Sequence, residues 1–151
     1  MKIPIDIKIR TERIHELSPH KKKAENAPDY EDFSVSGTLT KTKGGFQIEF
    51  NEEDDSVTTT IDTYEDDMVT LNRVGPINSH MVFADGKAHT CICNTGHFPL
   101  HMRIRTKKLT NSLTMDGGKL DIDYTVEIAG NLAERNRIVL SVSPDKSILR
   151  S

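Results

Sequence analysis

The stretch "MKIPIDIKIR", residues 1–10, sets Ile3, Ile5, Ile7 and Ile9 against Pro4, Asp6, Lys8 and Arg10. Successive side chains of an extended chain point to opposite faces, so this alternation gathers the isoleucines on one side and the polar groups on the other. That is the pattern of a half-buried strand. The stretch holds no uninterrupted apolar run, so it is neither the core of a secretory leader nor a membrane-spanning helix.

Period two recurs down the chain. It passes through Phe33, Val35 and Leu39, then Phe46, Ile48 and Phe50 after Gly44-Gly45. Val57, Thr59 and Ile61 follow, then Val69 and Leu71 before Gly75-Pro76, and Met81 to Phe83 before Asp85-Gly86. Phe98, Leu100, Met102 and Ile104 alternate cleanly, as do Leu120, Ile122, Tyr124, Val126 and Ile128 after Gly117-Gly118. Ile138, Leu140 and Val142 close the series before Pro144. Counting the piece around residues 89–93, these make about ten strands at the interval of about 8–12 residues expected of sandwiches and barrels. No apolar stripe at i, i+3, i+4 and i+7 runs long enough for a substantial helix. Short glycine-bearing turns require antiparallel neighbours, since parallel crossovers need about a dozen residues or more. A meander of this length has two free edges unless it closes on itself. The expected fold is therefore all-β: a closed antiparallel up-and-down β-barrel of about 8–10 strands.

The chain of 151 residues fits one barrel domain, 1–151, able to bury roughly two-thirds of its unfolded surface. Residues 15–31, "HELSPHKKKAENAPDYE", break the rhythm and read as a polar loop insertion, either a lid or surface decoration. With 23 acidic against 20 basic residues the net charge is only −3, which gives no electrostatic reason to expect nucleic acid or an anionic membrane as partner. The acidic runs Glu52 to Asp55 and Glu65 to Asp67 lack EF-hand spacing and read as solvated turns. Two cysteines and no leader pattern favour a reducing cytosol, and the protein is expected to be cytoplasmic.

The densest chemistry lies in "HTCICNTGHFPLH", residues 89–101, which holds three histidines and both cysteines. His89, Cys91 and Cys93 share one face of a strand, and His97 and His101 share one face of the next. Hairpin register decides whether the two faces coincide. A two-residue turn at Thr95-Gly96 pairs Cys93 with Phe98 and Cys91 with Leu100, which buries the thiols among apolar neighbours. A three-residue loop pairs Cys93 with His97 and His89 with His101, and five metal ligands converge. The shorter turn is the commoner one, and Gly96 suits it. Cysteine is content beside leucine and methionine, and the paired C-x₂-C spacing of zinc sites is absent. The reading is a structural hairpin with no metal and no cofactor. A Cys/His-dependent enzyme is the weaker alternative, because no nucleophile motif accompanies the stretch.

Polar groups on the apolar side of a strand carry more information. Arg73 has the parity of Val69 and Leu71, so its guanidinium can meet a carboxylate or phosphate, or can snorkel out at the rim. Tyr124 sits amid Leu120, Ile122 and Val126, and Thr59 lies between Val57 and Ile61. Together Arg73, Tyr124 and Thr59 are the candidate lining of an interior pocket, a few polar anchors in an apolar wall. Arg103 and Arg105 fall on the opposite face with His101, as a solvated strip.

Two longer phrases, "VTLNRVGPINSHMVFADGKAHTCICNTGHFPLHMRIRTKKL" at 69–109 and "GGKLDIDYTVEIAG" at 117–130, resemble the YwiB-like bacterial family of calycin-type β-barrels. The features that carry the likeness are Arg73 with Gly75, Met81 to Phe83, the Thr95-Gly96 turn, Thr106 and the run ending at Tyr124. Residues 15–31 and Cys93 depart from it. The resemblance implies a lipocalin-like closed barrel in a bacterial cytosolic protein, and it brings no activity from which a functional residue can be transferred. The expected role is the binding of a small apolar or anionic molecule inside the barrel. The rival is a protein-interaction module acting through its loops or outer face.

Overall fold

The computed structural model describes residues 2–14, 29–52, 56–65, 67–76, 78–94 and 99–145. Ten strands follow one another: β1 (Lys2–Ile14), β2 (Asp29–Lys41), β3 (Phe46–Glu52), β4 (Val57–Tyr64), β5 (Met68–Val74), β6 (Asn78–Ala84), β7 (Ala88–Asn94), β8 (Pro99–Asn111), β9 (Gly118–Ile128) and β10 (Asn131–Pro144). Each pairs with its neighbour in sequence, and β1 pairs with β10 to close the barrel. All pairings are antiparallel. Among the described residues no helix is long and apolar enough to cross a membrane.

The isoleucine alternation of β1 becomes the inner wall. Ile5 and Ile7 are fully buried, and Ile9 lies between Phe33 of β2 and Leu140 of β10. Gly37 opposes Ile5 of β1 and Phe50 of β3, where β2 comes to lie between the two strands, and a Cβ there would stand 2.4 Å from the Glu49 carbonyl oxygen. Only glycine lets three strands approach so closely. At the Asp85-Gly86 turn, the Lys87 N–H donates to the Ala84 carbonyl at 2.9 Å, with Gly86 at φ +72° in the third position. A side chain would resist that backbone conformation.

The two ends of the barrel differ. At the end where β1 starts and β2 finishes, Leu39, Ile48, Val69, Phe83 and Leu120 are each fully buried, and Phe83 meets the Tyr124 ring edge-on at 4.8 Å. Three backbone N–H groups there find side-chain acceptors. The Phe46 N–H donates to Thr63 Oγ1 at 3.0 Å, the Ala84 N–H to Thr106 Oγ1 at 3.3 Å, and the Leu109 N–H to Asp85 Oδ1 at 2.9 Å. Thr106 is inward in phase with Ile104, and the register shift between Thr106 and Lys108 brings Leu109 inward after two exposed lysines. Each apolar side chain so enclosed contributes about 1.5–3 kcal/mol.

Two strand seams are short. β2 is 13 residues long, yet only Gly37 to Lys41 pair with β3. β6 meets β7 through Asn78, Ser79 and His80 alone. The stretch read as a loop at 15–31 is corrected at its end, because β2 already begins at Asp29 and pairs with β1 out to Arg13. The long ribbon holds through Arg10, which stacks over the Tyr30 ring at 4.6 Å and pairs with Asp32 at 3.3 Å. Residues 15–28 lie outside the described residues.

Candidate functional site

At the opposite end, where β1 finishes, the interior is not filled. A cavity of about 340 Å³ is bounded by inward-facing side chains only. Ile9, Phe33, Phe50, Ile61, Leu71 and Leu140 form its apolar floor, and Thr11, Glu31, Glu52, Thr59 and Arg73 stand at its rim. Strand periodicity explains the division. Along five of the six strands the same face carries an apolar residue in the middle and a polar one a step nearer the opening, while on β10 Ile138 follows Leu140. A ten-strand barrel has a wider bore than the eight-strand size that side chains just fill, so space remains wherever bulky residues stop.

Thr59 and Arg73 face each other across the β4–β5 pair and converge on one carboxylate. Arg73 Nε donates to Glu52 Oε2 at 3.3 Å, and the Thr59 hydroxyl donates to the same oxygen. Glu52 is 19% exposed and Arg73 42% exposed, so the pair sits at the boundary between lumen and solvent. Arg73 therefore points inward and reaches the rim at once, and its guanidinium is already engaged.

Tyr124 does not join Thr59. It lines an adjoining space of about 380 Å³, which shares Thr11, Glu31, Arg73 and Ile138 with the lumen cavity. Burial pushes its phenol well above the ordinary tyrosine range, and the charge of Glu134 adds to the shift. Its hydroxyl has no hydrogen-bond partner among the described residues. Around it, Arg13 pairs with Glu134 at 3.2 Å, and Asn136 Nδ2 donates to Glu134 Oε1 at 3.0 Å.

The space also opens sideways. Where β2 and β3 part beyond Gly37, a cleft of about 330 Å³ runs between Val35 and Asn51, and it shares Glu31, Phe33 and Glu52 with the lumen cavity. Glu31 lines all three spaces.

Glu31 and Glu52 are absent from the sequence-based set. Glu31 closes the stretch read as a polar loop, and Glu52 opens an acidic run read as a turn. Glu52 is in fact the last residue of β3, in phase with Phe46, Ile48 and Phe50, and Glu31 is in phase with Phe33 and Val35. Parity alone would have found them. The other acidic run behaves as read, with Glu65 and Asp67 exposed in a turn. Residues 53–55 and 66 lie outside the described residues.

The Cys/His stretch takes neither of the two registers set out above. Asn94 opposes Pro99, Cys93 opposes Leu100 and Cys91 opposes Met102, so residues 95–98 make the connection. The tighter turn would draw Pro99, which has no N–H, two places further into the ladder; here it begins the strand instead. A slip of two preserves faces, so the thiols still meet apolar partners, while His101 opposes exposed Ile92 on the outer wall beside Arg103. Burial raises the Cys91 thiol above its ordinary value, against a weaker opposing effect of the Val82 backbone amide, and a thiolate is thereby disfavoured. His89 shares the inner face, and its Nε2 is enclosed with no partner among the described residues. His97 lies outside them.

The family model described as a domain of unknown function (DUF1934) matches residues 7–140. No curated protein matches this sequence. Among solved structures, the crystal structure of the ywiB protein from Bacillus subtilis is similar at a TM-score of 0.78 and 15% identity, covering 95% of this chain and 93% of that one. At that identity the likeness is one of fold: the same barrel, reached through a largely different set of side chains.

Proposed function

The chain belongs to the DUF1934 family, whose description supplies no chemistry, and we propose from its geometry that the barrel binds a small, largely apolar molecule in the open half of its lumen. One observation carries the reading: a cavity of about 340 Å³, open at one end, with an apolar floor and a polar rim, bordered by inward-facing residues of six strands. Pockets for small molecules have this composition and begin at about this size. Packing supports it from the other side. Interiors are normally filled to crystal-like density, and an unfilled space of this size lowers stability, so a fold retaining one gains from an occupant. We place this activity in a reducing compartment, where Cys91 and Cys93 stay free thiols as they are here.

The test is native mass spectrometry on protein purified from its own host. A bound mass that leaves on denaturation is expected, and Leu71→Phe, which fills the cavity floor, is expected to lower its occupancy. Protein that emerges without any added mass, and that takes up no small amphiphile afterwards, overturns the proposal.

A further inference from the structure

The charges around the open end do not balance in the way an anion would require. Three guanidinium groups border the spaces there, and each is held by a carboxylate: Arg73 by Glu52 at 3.3 Å, Arg13 by Glu134 at 3.2 Å and Arg137 by Asp121 at 2.7 Å. An arriving anion would have to displace one of those partners. On the acidic side, the Glu12 charge already acts on Arg137. Glu31 alone lines all three connected spaces, and among the described residues it has no ion pair or hydrogen bond. A second observation points to the same place. Tyr124 is only 6% exposed, its hydroxyl has no partner among the described residues, and it lines the space that Glu31 lines. That hydroxyl faces the space uncommitted, and a ligand polar group entering there can bond it without displacing another partner.

We infer that the ligand of the open end is a cation, an apolar body carrying a protonated amine. The body lies over Phe33, Phe50 and Leu71, and the ammonium group lies in the space bordered by the Glu31 carboxylate and the Tyr124 hydroxyl oxygen. An ammonium has three N–H donors and no acceptor. Both groups offer it oxygen lone pairs, and neither has to be freed first. This inference rests on the reading of the lumen as a binding chamber.

Three probes with one apolar body and different heads separate the two ideas: decylamine, decan-1-ol and decanoate, each titrated calorimetrically at neutral pH below its aggregation limit. The amine is expected to bind about threefold to fivefold tighter than the alcohol, the range that an ion pair at a partly exposed rim supplies. Decanoate is expected to bind weakest. Glu31→Gln is expected to erase the difference between amine and alcohol, and Tyr124→Phe, which keeps the ring against Phe83, to narrow it. If the three probes bind alike, or decanoate binds tightest, the chamber stands and the cation assignment falls. If none of them binds, both fall.

Discussion

The closed and open ends of this barrel are built from the same strands and the same alternation, yet one is solid and the other hollow. At the closed end Phe83, Leu39 and Leu120 are fully enclosed, and the buried hydroxyls of Thr63 and Thr106 each accept a backbone N–H. At the open end the inward positions pass to Thr11, Glu31, Glu52, Thr59 and Arg73, whose polar groups answer one another or solvent and leave the middle empty. The alternation is common to both ends. What differs is which residues occupy the inward positions and, at the open end, the parting of β2 from β3; together they convert packing into a chamber.

That contrast can be broken by mutation. Phe83→Ala is expected to cost about 3–5 kcal/mol by leaving a void in a filled region. Phe33→Ala, at a floor already facing empty space, should cost about 1–2 kcal/mol. Urea midpoints at unchanged slope measure both. Equal losses would mean that the two ends are packed alike. The reverse experiment adds volume: Leu39→Phe at the closed end should cost about 1–3 kcal/mol through overpacking, whereas Leu71→Phe is expected within about 1 kcal/mol of the parent because the cavity accepts the ring.

Smaller effects sharpen the account of the rim. Glu52→Gln removes the charge that Arg73 and Thr59 share, and with Arg73 at 42% exposure solvent screening limits the expected loss to about 1 kcal/mol. A double-mutant cycle with Thr59→Val should show coupling of about 0.5 kcal/mol or more if both groups use that carboxylate. Arg137 donates two hydrogen bonds to Asp121 and holds its carboxyl below the usual range. A lowered folded-state pKa gives stability that is present above the unfolded value near about pH 4 and is lost as pH falls through the folded value. Both partners are substantially exposed, so the contribution should be about 0.2–1 kcal/mol. The acid limb of an unfolding-against-pH curve should flatten by that amount in Asp121→Asn.

Much of the fold was legible because period two is a direct consequence of strand geometry. Ile3 to Ile9 and Leu120 to Ile128 could be placed on the inner wall without coordinates, and the same parity nominated Thr59, Arg73 and Tyr124. Glu31 and Glu52 escaped because one ends a polar loop stretch and the other begins an acidic run, where composition argues for solvent and phase argues for the lumen; phase prevails where the strand extends to include them. The register at Cys93 was not legible, since a slip of two residues leaves every face unchanged and therefore no trace in the pattern. Nor was the parting of β2 from β3. It depends on where Gly37 lets three strands meet, a long-range matter that local alternation does not encode.

The most direct test of a hollow open end is a methyl spectrum recorded while decan-1-ol is titrated in. The account predicts that resonances of Ile9, Ile61, Leu71 and Leu140 move in concert, while those of Ile5, Leu39 and Leu120 stay fixed. Shifts confined to Val74 and Ile92, the exposed apolar residues of the outer wall on β5 and β7, or no shifts at all, would contradict it.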